Sequence, residues 1–266
     1  DSANSSQKPK TVIDRISKFY SKEFSNIGRS VHSLAVTATN RFEETRDMMQ
    51  KFINAKHREE IIFTKNATEA INLIASTYGD KFIKEGDEII ITELEHHANY
   101  VPWHFIRQKK GAIIKFAKCN DKGEVEIDEI KKLITNKTKI IAITHLSNVT
   151  GAIMPIKKIV DLANEKKIPV LVDGCQGAPH LKIDMQELGC DFYAISCHKM
   201  YGPTGVGVLY AKKKWLDVLP PYQGGGGMIE EVKKDHITFP GSPTKYEAGT
   251  LQTAEVVGFS ESLKFI

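Results

Sequence analysis

No apolar run in this 266-residue chain approaches the roughly 20 residues needed to cross a bilayer, which excludes an α-helical membrane span. Charge of one sign is also scarce: 37 Lys and Arg against 33 Asp and Glu leave a net charge of +4. The lysines, among them Lys131, Lys132, Lys157 and Lys158, are dispersed as solvated helix faces, whereas a nucleic-acid footprint needs a concentrated basic stripe. Cysteine is limited to Cys119, Cys175, Cys190 and Cys197. Their spacing offers neither a metal-binding pair nor a disulfide framework, so they read as free thiols of a reducing compartment. Cys175 and Cys197 flank the candidate site described below, where a free cysteine most simply fills space as a small hydrophobe. The polar opening Asp1-Ser2-Ala3-Asn4-Ser5-Ser6 carries no signal-peptide pattern. Internal repeats and long linkers are missing too. The one low-complexity patch, Gln223-Gly224-Gly225-Gly226-Gly227-Met228, reads as a flexible loop.

What is present is an ordinary globular balance, 41% hydrophobic and 26% charged, long enough to bury one large core. Strand-like runs alternate with helical periodicity, which predicts an α/β layered domain. Strands are expected at Ile61 to Thr64, Glu88 to Thr92, Ala112 to Phe116, Lys139 to Thr144, Val170 to Asp173, Phe192 to Ser196 and Val206 to Tyr210. Helices are expected at Thr11 to Glu23, Thr39 to Ile53, Ala67 to Ser76, Ile127 to Ile134, Ile156 to Lys166 and Ala254 to Ile266.

Chemistry concentrates at two strand ends. Ser196-Cys197-His198-Lys199-Met200-Tyr201-Gly202-Pro203-Thr204-Gly205 follows the apolar run Asp191 to Ile195. A lysine there is badly placed for the surface and well placed for a desolvated amine that attacks an aldehyde. Taken alone, the pattern also fits a solvated turn. One strand upstream, Val170-Leu171-Val172-Asp173-Gly174-Cys175-Gln176 ends in an acid. A carboxylate at such a strand end faces the crevice where α/β sheets bind ligands, although a lone Val-Asp-Gly equally suits a helix or turn cap. Together, Asp173 and Lys199 point to pyridoxal 5'-phosphate (PLP), whose pyridine nitrogen needs an acid and whose aldehyde needs an amine. Ala67 and Thr68 lie where a strand turns into a helix, a natural phosphate site, and Thr68 otherwise helps cap that helix. His96 and His97 are adjacent, so they cannot easily reach one metal ion, and no matching ligand spacing accompanies them.

Five stretches occur in a set order: Asn66-Ala67-Thr68-Glu69-Ala70-Ile71-Asn72, Glu95-His96-His97-Ala98-Asn99, Thr144-His145-Leu146-Ser147-Asn148-Val149-Thr150-Gly151, Asp173-Gly174-Cys175-Gln176 and Ser196-Cys197-His198-Lys199. In this the chain resembles the cysteine desulfurases of the class-V aminotransferase family. Val101-Pro102-Trp103 and Tyr201-Gly202-Pro203-Thr204-Gly205 bring it closest to the SUF-type branch. The resemblance implies the large domain of a fold type I PLP enzyme over residues 1–266: a mostly parallel seven-stranded sheet flanked by helices. A C-terminal small domain would lie outside this chain. It assigns Lys199 to the aldehyde and to proton transfer at Cα, Asp173 to the pyridine nitrogen, and His96 to stacking and proton shuttling. His97 is then a packed or hydrogen-bonded neighbour. Gln176 is assigned to the phenolic oxygen, and Asn148 to the cofactor and the substrate carboxylate; Asn148 also suits a turn. Ala67, Thr68, Ser196 and His198 are assigned to the phosphate. Thr250 would reach a partner's phosphate across a homodimer interface, with Gly224 nearby.

The implied activity converts L-cysteine to L-alanine and a protein persulfide, passed to a SufE-like acceptor for iron–sulfur cluster assembly. A bacterial cytoplasm or a plastid or apicoplast stroma is the implied compartment. Alternatives are a selenocysteine lyase, another class-V enzyme, or a non-catalytic PLP-binding dimer subunit. The chain departs from the pattern at Gly28, where related enzymes carry histidine before the position of Arg29; His32 matches. None of the four cysteines matches the nucleophile's motif. That cysteine and the substrate-binding arginine are expected beyond Ile266, so this chain should bind PLP and turn over cysteine poorly or not at all. The opening Asp1 to Ser6 resembles the family's start near the active site, with polar replacements.

Overall fold

Seven strands form a single sheet in the computed structural model, which describes residues 1–28 and 31–266. They are β1 (Ile61–Thr64), β2 (Glu88–Thr92), β3 (Ile113–Ala117), β4 (Thr138–Thr144), β5 (Val170–Asp173), β6 (Phe192–Ser196) and β7 (Gly207–Ala211). Their spatial order is β1-β7-β6-β5-β4-β2-β3, and β7 alone runs against the rest. The expected mostly parallel sheet is therefore present. An exposed hairpin of β8 (Glu231–Lys233) and β9 (His236–Thr238) stands apart from it.

The helices are α1 (Lys10–Lys18), α2 (Ser33–Phe52), α3 (Ala67–Phe82), α4 (Val101–Lys110), α5 (Ile127–Leu133) and α6 (Ile156–Glu165). Three short ones follow, α7 (Gly177–His180), α8 (Met185–Leu188) and α9 (Lys213–Leu216), and then α10 (Thr253–Phe265). A parallel sheet must cover both faces, and the period-two alternation of its strands decides what packs where. In β4, Ile140 and Ala142 join a core with Ala70, Leu73 and Ile74 of α3 and Trp103 of α4. Their neighbours Ile141 and Ile143 point the other way, onto Phe42 and Met49 of α2 and Ile159 and Ala163 of α6. The result is three layers, with the sheet buried between two helical ones.

Helix α1 ends at Lys18 and a wider turn, Phe19–Glu23, completes the expected Thr11 to Glu23 span. The short α7, α8, α9, β8 and β9 were not expected, and three longer helices also depart from the sequence expectation. Helix α2 starts at Ser33 rather than Thr39, because the His32 ring accepts the Ala35 N–H at 3.3 Å and caps it. Val36 and Thr37, poor intrinsic helix formers, hide this first turn, which the burial of Ala35 and Ala38 nevertheless stabilises. Helix α3 continues past Ser76 through Gly79. A Cβ at Gly79 would lie 2.7 Å from Cδ1 of Ile106, so the glycine that weakens the periodic signal is what lets α4 pack closely. Helix α4 itself was not expected. Pro102 suits its first turn, buried Trp103 anchors it, and Gly111 ends it at φ 70°. Gly28 adopts φ 96°, a backbone that a histidine enters only with strain, which gives the departure there a conformational basis. Arg29 lies outside the described residues.

Candidate active site

Every parallel strand of the sheet's middle delivers a polar residue to the same edge. The turn after β1 carries Asn66 and leads into α3, and the segment after β2 carries His96. Asn148 follows β4, while Asp173 ends β5 and Gln176 lies just beyond it. Ser196 ends β6, and the tight turn Cys197–Lys199 follows. Ala67, Thr68, His96, Asn148, Asp173, Gln176, Ser196, His198 and Lys199 all line one cleft of about 190 Å³. Strand β7 begins beneath it, with Gly207 opposite both Thr64 and Ser196. A Cβ on Gly207 would stand 2.5 Å from the Asn66 Cα, so only glycine lets β7 pass under the start of α3. Gly224 and Thr250 do not line this cleft. They sit on exposed loops joined by the Gly249 N–H donating to the Gly226 carbonyl at 2.8 Å.

Asp173 is only 4% exposed, and its Oδ1 accepts the Cys175 N–H at 3.0 Å. No lysine, arginine or histidine among the described residues forms an ion pair with it. Ser196 Oγ accepts the Ala67 N–H at 2.9 Å, while the Asn66 side chain caps the Glu69 N–H at 2.9 Å. The α3 N-terminus thus opens toward Ser196, with the helix dipole favouring an anion there. His96 Nδ1 accepts the Ala98 N–H at 3.1 Å, which leaves the proton of the neutral ring on Nε2. Burial, helped by the Lys199 charge, holds the His96 imidazolium below its ordinary range despite Asp173. Burial, Lys199 and Lys8 do the same to His198. The Gln176 amide donates to the Ala3 carbonyl at 2.6 Å. His97, expected as a packed or hydrogen-bonded neighbour, is exposed beside His96, the two ring centroids 5.8 Å apart.

Gly174 is required for a different reason. A Cβ there would lie 1.9 Å from Tyr193 Cε1, so the Asp173 turn rests directly on that ring. The Tyr193 hydroxyl and Nδ1 of the buried His145 share a hydrogen bond at 2.8 Å. Two titratable groups beneath the cleft were not singled out from the sequence. Burial lowers His145 to about 4. Burial, assisted by Asp173, pushes Glu95 up to about 7. It does so against donors from Thr92 Oγ1 at 2.6 Å, Asn99 Nδ2 at 2.6 Å and the Thr144 N–H at 2.9 Å. Their signal, a polar residue beside a motif histidine or inside the Thr144 to Gly151 motif, lies in the sequence; their burial does not.

These two groups make opposite contributions to stability. His145, depressed from 6.5, contributes stability above that pH that is lost as pH falls through about 4, some ~3 kcal/mol at most. Glu95, raised from 4.5, contributes stability below that pH that is lost as pH rises through about 7. His145→Gln should flatten the acid side of the urea-midpoint profile between pH 4 and 6.5, and Glu95→Gln the neutral side between 4.5 and 7. Parallel profiles for wild type and both variants would refute the assignment.

The Aminotransferase class-V family profile matches residues 1–266. A probable cysteine desulfurase of Mycolicibacterium paratuberculosis is 48% identical over 266 residues, covering 100% of this chain and 39% of that protein. One from Halalkalibacterium halodurans is 46% identical and is covered over 66% of its length. The crystal structure of the cysteine desulfurase CsdA from Escherichia coli superposes with a TM-score of 0.93 at 40% identity. That match covers 100% of this chain and 66% of the other. An apo cysteine desulfurase from Thermococcus onnurineus gives a TM-score of 0.96 at 34% identity. The chain therefore spans between 39% and 66% of the length of these two curated relatives.

Proposed function

The chain belongs to the class-V aminotransferase family, and on that footing we propose that it is the PLP-binding large domain of a SUF-type cysteine desulfurase. The observation that carries this reading is the convergence of Lys199, Asp173, His96 and the α3 N-terminus on one cleft. The donor set fits the cofactor. A carboxylate 4% exposed and without a cationic partner is costly to bury, and a protonated pyridine nitrogen supplies the missing cation. The Ser196 hydroxyl and the first turn of α3 suit a phosphate, and Lys199 suits an aldehyde. When bound, PLP contributes an electron-accepting ring conjugated to the substrate nitrogen.

The chain's own residues do the rest. Asp173 would hold the cofactor's ring nitrogen protonated. The Lys199 amine lines the same cleft, where it would hold the cofactor's aldehyde and move the proton at the substrate's Cα. His96 lines the cleft and would stack on the cofactor; with Nδ1 accepting the Ala98 N–H, its neutral ring carries the proton on Nε2 and can donate from there. Gln176 and Asn148 orient the cofactor oxygen and the substrate. Overall, L-cysteine and a protein thiol would give L-alanine and a protein persulfide, with a SufE-like protein as acceptor.

The accepting thiol is not among the four cysteines here. Cys175, Cys190 and Cys197 are pushed well above the ordinary thiol range by burial, and burial with Glu93 raises Cys119 as well. None is presented as a thiolate. The exposed loops with Gly224 and Thr250 would serve the cleft of a second copy in a homodimer.

The test is borohydride reduction after incubation with PLP, followed by peptide mass spectrometry. One pyridoxyl adduct, on Lys199 and lost in Lys199→Ala, is expected. Labelling scattered over surface lysines would count against the site. The chain alone should release little sulfide from L-cysteine, and sustained release would overturn the assignment of the thiol elsewhere.

A further inference from the structure

The turn that carries Lys199 is shaped by residues from the opposite end of the chain. In an ordinary turn the His198 carbonyl would accept directly from the Tyr201 N–H three residues on. Here the Ser6 hydroxyl stands between them, donating to the His198 carbonyl at 3.0 Å and accepting the Tyr201 N–H at 2.7 Å. One hydroxyl has one proton and free lone pairs, so both bonds are made at once. The Ser6 N–H adds a second bond to the same carbonyl at 3.1 Å, the Lys8 ammonium a third at 2.8 Å and the Ser5 hydroxyl a longer fourth at 3.4 Å. Tyr201 itself adopts φ 59°, a left-handed conformation that a tyrosine holds only when its surroundings impose it. Ser6 is buried although Asp1 to Ser5 and Gln7 are exposed. The same segment reaches the other side of the cleft, where Ala3 accepts from Gln176 and Asn4 lines the wall.

We propose that Ser6, assisted by Lys8, is a positioning residue for Lys199: its hydroxyl closes the turn from His198 to Tyr201 and aims the amine into the cleft. The strap from Ala3 to Lys8 thereby links the lysine turn after β6 to Gln176 after β5. This role presupposes that the cleft holds PLP, as proposed above. An alanine at position 6 leaves the strap's backbone contacts intact and removes only the bridge. Threonine keeps the hydroxyl.

The experiment compares the whole chain with Ser6→Ala and Ser6→Thr by three readouts: melting temperature, hydrogen exchange at the Tyr201 amide, and the rate of the borohydride-trapped Lys199 adduct with added PLP. In Ser6→Ala the Tyr201 amide is expected to exchange about tenfold faster and the adduct to form about tenfold more slowly, the scale of one lost hydrogen bond. Melting should be nearly unchanged, and Ser6→Thr should restore both rates. Wild-type exchange at Tyr201 in Ser6→Ala, failure of threonine to rescue, or losses that merely track a lowered melting temperature would each overturn the role. If wild type itself forms no Lys199 adduct, the cofactor reading fails, while the exchange measurement still decides whether Ser6 holds the turn.

Discussion

Asp173→Asn is expected to weaken PLP binding by roughly 100-fold, about 3 kcal/mol, while leaving the chain folded. The two side chains are nearly isosteric, so the carbonyl oxygen of the introduced amide can still accept the Cys175 N–H that Asp173 Oδ1 accepts at 3.0 Å. The second oxygen becomes an amide nitrogen, which sets a donor against the protonated pyridine and removes the countercharge. The geometry survives and the electrostatics do not. The effect without cofactor has the opposite sign. Asp173 is 4% exposed and lacks a cationic side-chain partner, so neutralising it removes a desolvation cost. The cofactor-free Asp173→Asn chain should melt at or above the wild-type temperature, a stability sacrificed at a functional position. Titration of both proteins with PLP, read by absorbance and by melting shift, checks the two halves together. Affinity within threefold of wild type would remove Asp173 from the cofactor's binding set.

The second large effect lies away from the cleft. Arg46 is 1% exposed, yet its guanidinium donates to Glu247 through Nη1 at 2.8 Å and Nη2 at 2.9 Å, and to the Ile61 carbonyl at 2.7 Å. Glu247 Oε1 also accepts the Phe63 N–H at 2.7 Å, and the guanidinium carbon lies 4.8 Å from the Phe63 ring centroid. Burial works against the arginine's charge, but Glu247 and Glu43 more than offset it and hold it protonated. Glu247→Ala leaves this cation buried and half-satisfied, which costs about 3–5 kcal/mol. For a chain of this size that lowers the melting temperature by roughly 10 °C. The double variant Arg46→Met with Glu247→Ala should recover part of the loss, because neither buried charge is then left alone. A single-variant loss below about 1 kcal/mol, or strictly additive losses in the double variant, would refute a coupled pair. The pair ties the segment bearing Gly249 and Thr250 to β1 and α2, so Glu247→Ala is also expected to loosen the loops assigned to a second copy.

The contrast between these two sites measures what was legible. Asp173 and Lys199 stand out because an acid and a lysine end consecutive apolar runs, and a parallel sheet puts such ends at one edge. Neither Glu247 nor its partner Arg46 stood out, since 201 residues separate two side chains that meet only in the fold. Helix α4 escaped because a valine and a proline open it, although its first turn tolerates both. Glu95 and His145 were each written inside a motif, but their shifted proton affinities depend on burial, which residue order does not state.

By itself the sequence determined the α/β class, the seven strands and the strand-end residues, because period-two and helical patterning and strand-end chemistry are local; the family resemblance rested on five short motifs in a set order. The tertiary structure decided the rest. It set the strand order and the close approaches that make Gly79, Gly174 and Gly207 obligatory. It also brought Ser6 onto the Lys199 turn and seated Arg46 on Glu247. Those outcomes depend on distances between residues far apart in the chain, which only the packing of both helical layers onto the sheet brings into being.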